Sequence, residues 1–146
     1  MTIAGGCRCG AVRYVLATDA VPPVYCCHCR DCQTWSGSAF TEQGVTRIDA
    51  LTATGPIVHY GRTGPSGAVS VQSICATCHT RLWNTSTARP GMALLRAGTL
   101  DESDALVPRA HIWVVRKQPW IVLPDDVPAF AENAPPAAFL AILLRP

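Results

Sequence analysis

Apolar and polar residues alternate well from Ala68 through Val69, Ser70, Val71, Gln72 and Ser73 to Ile74, which is the period of two expected of a half-buried strand. The run from Ala11 to Leu16 alternates less regularly, and the stretch from Ala110 to Val115 is β-branched and aromatic around His111 and Trp113. Both read as strands. Turn signals are dense: Pro22-Pro23, Gly55-Pro56, Gly64-Pro65-Ser66-Gly67 and Arg89-Pro90-Gly91 each break the pattern. With 12 prolines and 11 glycines, little room is left for long helices. Two short ones are expected, near Leu100-Asp101-Glu102 and at the C-terminus after Pro135-Pro136, where proline suits a first helical turn. Strand signals dominate, and no internal repeat or low-complexity tract interrupts them.

Length and composition narrow this picture without changing it. A chain of 146 residues that is 49% hydrophobic can bury a moderate core, and a single domain over 1–146 is expected. The net charge of +2 gives no strong electrostatic footprint for nucleic acid or an anionic membrane. The longest apolar run, Ala137 to Leu144, is far short of the ~20 residues that span a bilayer. Met1 to Gly6 carries no basic segment of the kind that opens a signal peptide. A soluble cytoplasmic protein with reduced thiols is the expectation.

The cysteines add chemistry. Seven of the eight fall into three groups: Cys7 and Cys9; Cys27, Cys29 and Cys32; and Cys75 and Cys78. A disulfide framework competes with this reading, but it needs export, and three tight groups are hard to produce by packing alone. Metal-binding spacings explain them better. On an extended strand alternate side chains share a face, so Cys7 and Cys9 can face one ion while Arg8 points away. Cys75-x-x-Cys78 after a strand is the usual half-site of a zinc knuckle. In the middle group the same parity sets Cys27 with Cys29, and puts Cys26 with His28 on the other side. Cys32 then closes the set from a loop or a first helical turn, and Cys26 becomes a small buried bystander. His28 is the alternative ligand. A zinc ribbon pairing Cys29 and Cys32 with Cys75 and Cys78 would leave Cys7, Cys9 and Cys27 without partners.

Gly6-Cys7-Arg8-Cys9-Gly10-Ala11-Val12-Arg13-Tyr14, then Cys27-His28-Cys29-Arg30-Asp31-Cys32-Gln33 with Ser36-Gly37, then Cys75-Ala76-Thr77-Cys78, in this order, resemble the glutathione-dependent formaldehyde-activating enzyme family, also called the centromere protein V family. His111-Ile112-Trp113-Val114 and Lys117-Gln118-Pro119-Trp120-Ile121 extend the resemblance. It implies a mainly β, Mss4-like fold of small antiparallel sheets organised around zinc, with short helices. It also implies two zinc ions per chain, a structural one on Cys7, Cys9, Cys75 and Cys78 and a catalytic one on Cys27, Cys29 and Cys32. Two features depart from the family pattern: His79 follows Cys78 where glycine is usual, and the chain is shorter than the formaldehyde-activating members.

Three thiolates around Zn²⁺ carry a net charge of about −1, which makes the ion a poor source of hydroxide and a better seat for a soft thiol. The expected co-substrate is therefore glutathione or another small thiol. The resemblance supplies the electrophile, formaldehyde or another small aldehyde, and with it a carbon–sulfur lyase like S-(hydroxymethyl)glutathione synthase. Of the remaining candidates, His111 suits proton transfer or a core position, and Trp35 a pocket wall or the core. Arg30 and Asp31 sit where they can orient the cluster, and Arg62, near the Gly64 to Gly67 loop, is placed to meet a glutathione carboxylate. The competing class is a zinc-stabilised scaffold without catalysis, which a fourth ligand from Cys26 or a histidine would favour.

Overall fold

The computed structural model describes residues 2–145. In chain order these form β1 (Ile3–Gly6), β2 (Arg13–Leu16), β3 (Val24–Cys27), α1 (Arg30–Ser36), β4 (Thr41–Arg47), β5 (Leu51–Thr54) and β6 (Ile57–Thr63). They continue with β7 (Val69–Cys75), β8 (Arg81–Ser86), β9 (Arg89–Arg96), β10 (His111–Ile112) and α2 (Pro136–Leu143). The chain is mainly β, as expected, with two short helices, of which only α2 lies where the sequence led one to expect a helix. It divides into two compact units, one built from residues up to Pro22 and Gly44–Ala105, the other from Pro23–Gln43 and the residues from Leu106 onward.

In the first unit β1, β2 and β5 form an antiparallel sheet with β2 in the centre. Strand β2 obeys strict alternation: Tyr14 and Leu16 are buried while Arg13 and Val15 are exposed. Gly5 lies so close to the Tyr14 ring and the Thr99 carbonyl that a Cβ would collide with both, and the Tyr14 hydroxyl meets Thr99 Oγ1 at 2.8 Å. Strands β6, β7, β8 and β9 form an antiparallel meander in the same unit. Leu82, Ala93, Leu95 and Cys75 are fully buried, and the Trp83 ring meets Tyr14 edge-on at 6.2 Å. The expected turn at Gly64 to Gly67 joins β6 to β7, with Gly67 at φ 81°. The turn expected at Arg89-Pro90-Gly91 falls earlier, at Thr87 and Ala88, and those three residues open β9 instead. Proline is tolerated at the start of a strand, where its missing N–H costs least.

In the second unit β10 pairs parallel with β3, setting His111 beside Cys26 and Ile112 beside Cys27. The strand expected over Ala110 to Val115 is only two residues long. Trp113 takes a left-handed conformation (φ 59°), which breaks the extended chain before a 3₁₀ turn at Val114–Arg116. Helix α2 starts after Pro135 as expected, and its Phe139 stacks edge-on against Tyr25 at 4.9 Å. The Arg109 guanidinium donates to the Leu143 carbonyl at 2.7 Å, tying the helix end to the strand layer. The helix expected near Leu100-Asp101-Glu102 resolves into 3₁₀ turns on either side, at Ala97–Thr99 and Ser103–Ala105, because Leu100 bridges to Gly5.

Candidate metal centres

All eight cysteines are free, and seven gather into two groups whose sulfurs lie within 4.8 Å of one another: Cys7, Cys9, Cys75 and Cys78, and Cys27, Cys29 and Cys32. The grouping has the composition inferred from spacing. Cys29 and Cys32 gather with Cys27, not with Cys75 and Cys78 as a ribbon would require.

The four-cysteine group belongs to the first unit. Cys7 and Cys9 lie on the turn between β1 and β2, not on an extended strand as parity suggested. Gly10 N donates to the Cys7 carbonyl (3.1 Å), Cys7 N donates to Val12 O (3.0 Å), and Gly10 takes the positive φ (78°) that the reversal demands. A turn also brings i and i+2 side chains to one side, so the same spacing works through different geometry. Cys75 ends β7, and the Cys75 to Cys78 turn closes through His79 N to Cys75 O at 3.0 Å. His79 sits at φ 59°, which explains why glycine would suit this position, although histidine is among the side chains that tolerate it. The sulfurs accept backbone N–H groups: Val12 N to Cys7 at 3.2 Å, and Thr77 N and Cys78 N to Cys75 at 3.4 and 3.5 Å. Hydrogen bonds from the Thr80 hydroxyl and backbone hold the Cys78 thiol down to about 5.

These features fit a metal. Sulfurs about 2.3 Å from a zinc at the centre of a tetrahedron sit about 3.8 Å apart. Cys7 and Cys9 sulfurs are 3.5 Å apart and those of Cys9 and Cys75 3.9 Å. Both separations are far beyond the ~2.05 Å of a disulfide. An all-sulfur donor set with N–H groups aimed at it is what Zn²⁺ favours.

The three-cysteine group belongs to the second unit and comes from one contiguous stretch. Cys27 ends β3, and Cys29 caps α1 with its sulfur accepting from Cys32 N at 3.4 Å. Cys32 lies in the first helical turn, one of the two placements the sequence allowed. Gln43 Nε2 donates to Cys32 Sγ at 3.7 Å, and Tyr25 donates to Gln43 Oε1 at 3.3 Å. Contacts with Cys27 and then Cys32 hold the Cys29 thiol far below the ordinary range, while contacts with Cys29 and then Cys32 push Cys27 up. A thiol held down beside one pushed up leaves the group with both negative charge and retained protons, which a cation can displace.

Neither Cys26 nor His28 belongs to this group. Cys26 is 2% exposed, and burial pushes its thiol up to about 12, so it stays a neutral core residue. His28 is fully buried and faces His111 with Nε2 and Nδ1 3.0 Å apart. Burial, then the charges of His111 and Lys117, lower His28 to about 4, and burial also lowers His111. This histidine pair was not foreseen, because its partners lie in distant segments. Among the weaker candidates, Trp35 is half-buried in α1, Asp31 is exposed, and Arg62 lies on exposed β6 of the first unit. Gln33 was overlooked. Its amide nitrogen donates to the carbonyls of His28 (2.7 Å) and Arg116 (2.8 Å), pinning α1 onto the cluster backbone.

Residues 2–116 match the family model described as glutathione-dependent formaldehyde-activating enzyme. The chain belongs to this family. No curated protein matches it. A solved structure of a Rhodobacter sphaeroides protein is similar over 72% of this chain and 97% of that one, at 18% identity and a TM-score of 0.55, and so shares the fold. Membership in the formaldehyde-activating family carries glutathione-dependent formaldehyde activation as its associated activity, and the two cysteine groups give this member places to hold metal. No helix among the described residues is long and apolar enough to cross a membrane.

Proposed function

We propose that the chain works as a single family-type domain holding two zinc ions, a structural one on Cys7, Cys9, Cys75 and Cys78 and a catalytic one on Cys27, Cys29 and Cys32. It joins the thiol of glutathione, or of another small thiol, to formaldehyde or another small aldehyde, or cleaves the same carbon–sulfur bond. The observation that carries this reading is that the second group holds three sulfurs and neither of the neighbours able to complete it. Closed structural zinc sites take four protein ligands, whereas three leave a position for a reactant.

When bound there, zinc supplies a soft, weakly acidic position that favours a thiolate sulfur over hydroxide. The chain's own residues supply the rest. Cys32 N and the Gln43 amide donate to the sulfurs of Cys29 and Cys32, spreading their negative charge. Gln33 keeps the helix that bears Cys32 in fixed relation to the His28 carbonyl, so the donor triangle is preorganised. In the forward reaction the thiol loses its proton, the sulfur lone pair forms the bond to the carbonyl carbon as the C=O π bond opens onto oxygen, and that oxygen takes up a proton; there is no net oxidation or reduction. Small-molecule thiol and aldehyde are the partners, with no nucleic acid or membrane involved, and the setting is the cytoplasm.

The test is thiol dependence. Zinc-loaded protein should bind glutathione and should bind the analogue with serine in place of cysteine much more weakly, since an alcohol is a harder donor and far harder to deprotonate. It should also speed hemithioacetal formation above the spontaneous rate, and Cys27→Ser should abolish the gain. Equal binding of the two peptides would favour the scaffold class instead.

A further inference from the structure

Two side chains of one strand grip Cys32. Thr41 and Gln43 are two positions apart on β4 and both buried, so they face the same side of it. Thr41 Oγ1 donates to the Cys32 carbonyl at 3.2 Å, and Gln43 Nε2 donates to the Cys32 sulfur at 3.7 Å. The second contact is the informative one. Gln43 is 5% exposed, and the acceptor its amide nitrogen meets among the described residues is this sulfur. A neutral thiol accepts a hydrogen bond only weakly, whereas hydrogen bonds to a charged acceptor are roughly twice as strong as neutral ones. A buried amide in this place suits an anionic sulfur.

Which end of the amide faces the sulfur is decided on its other side. The Tyr25 hydroxyl donates to Gln43 Oε1 at 3.3 Å, and an amide turned over would aim an oxygen lone pair at Cys32. Tyr25 is buried and is held in turn from α2, where the Phe139 ring meets it edge-on at 4.9 Å with 82° between the planes. That is a favoured geometry for two aromatic rings. Helix α2 buries Ile142 and Leu143, and the Arg109 guanidinium anchors its end at the Leu143 carbonyl. A chain of contacts therefore runs from α2 through Phe139, Tyr25 and Gln43 to Cys32, all within the second unit. Its first member lies outside residues 2–116, the segment that the family model matches.

We propose that α2 buttresses the three-cysteine centre, acting through Phe139 and Tyr25 to hold Gln43 as the side-chain hydrogen-bond donor to the Cys32 sulfur. The proposal rests on reading Cys27, Cys29 and Cys32 as a metal centre. Gln43, Tyr25 and Phe139 are positioning residues, and none of them supplies a ligand. The effect has two parts. The amide N–H draws charge from the Cys32 sulfur, which eases the repulsion among three thiolates gathered at one ion. It also fixes the direction of that sulfur, so the donor triangle is set before the ion arrives. The four-cysteine group belongs to the first unit and serves as an internal reference.

Titration of the intact chain with Co²⁺ tests this, read by the sulfur-to-cobalt charge-transfer band, with Cys29→Ser protein as the reference for the four-cysteine site. Gln43→Leu should weaken metal binding at the three-cysteine site about 10- to 100-fold, the usual loss for an outer partner of a metal ligand. It should also move that site's band to longer wavelength, because a sulfur without its N–H donor gives up charge more easily. Tyr25→Phe keeps the ring and removes the hydroxyl, and should move both readouts the same way by less. Phe139→Ala should follow Tyr25→Phe, and Phe139→Tyr, which restores the aromatic edge, should behave as the wild type. The four-cysteine site should keep its affinity in every variant. Unchanged affinity and band in Gln43→Leu would overturn the proposal, and wild-type behaviour of Phe139→Ala would remove the helix from it. Loss of both sites together would make these residues merely structural. A wild type that binds a single ion per chain would overturn the metal reading itself.

Discussion

The two cysteine groups differ in where their members come from along the chain. In the four-cysteine group two turns separated by most of the first unit's strands meet, with Cys9 and Cys75 in contact across 66 positions. In the three-cysteine group every sulfur comes from the stretch Cys27 to Cys32. A cross-link between distant segments removes a large amount of conformational freedom from the unfolded chain, whereas one within a local stretch removes little. With metal bound as proposed, the first group would hold the fold and the second a local geometry. The proposed structural and catalytic roles follow this difference.

The largest expected effect follows from breaking the long-range group. Cys7→Ser or Cys78→Ser should lower stability by about 3–5 kcal/mol or prevent folding, because metal binding free energy is folding free energy when the site closes only in the native state. Cys29→Ser should stay folded, keep one zinc of the two and lose glutathione binding. Scanning calorimetry with elemental analysis measures all of this, and the wild type should carry about two zinc ions and unfold in a single transition. Equal melting temperatures for the three variants would contradict the division of roles.

A smaller effect sharpens the same contrast. Protons compete with metal for thiolates, so lowering the pH releases zinc. With one ligand fewer, the three-cysteine group should release its ion at a higher pH than the four-cysteine group, as followed with a chromogenic chelator and with Cys29→Ser reporting the first site alone. Release in the opposite order would make the second group the more closed of the two.

The smallest effect concerns a surface pair beside the four-cysteine group's first turn. The Arg13 guanidinium bonds Asp101 and holds its carboxyl below the usual carboxylate range, but both side chains are 48% exposed. Asp101→Asn should therefore cost less than about 1 kcal/mol. Because the folded-state pKa is depressed, that contribution is present near neutral pH and disappears as the pH falls through the carboxylate range. A variant still less stable than the wild type in strong acid would place the effect in packing.

Reading the sequence recovered the elements with the strongest local signals: β7 from its alternation, α2 from its double proline, and the Gly64 to Gly67 turn. It overextended β10, because nothing local reveals that Trp113 turns left-handed to let Val114 and Val115 bond the carbonyls of Phe130 and Ala131. It misplaced the β8–β9 turn, because proline and glycine also occur at strand starts and bulges. For Cys7 and Cys9 the ligand spacing was legible although the strand assumed for it was not, since several backbone shapes bring i and i+2 together.

What the sequence by itself determined was the arrangement of candidate donors, seven thiols at spacings of two or three, and a chain too rich in proline and glycine for long helices. These follow from interactions within a few residues, where covalent geometry leaves few options. Only the tertiary structure decided that His28 would meet His111, 83 positions away, and that Gln118 would meet Gln33 across 85 positions. Such contacts depend on strand pairing and turn geometry, which are set by the packing of the whole unit rather than by any window of the sequence.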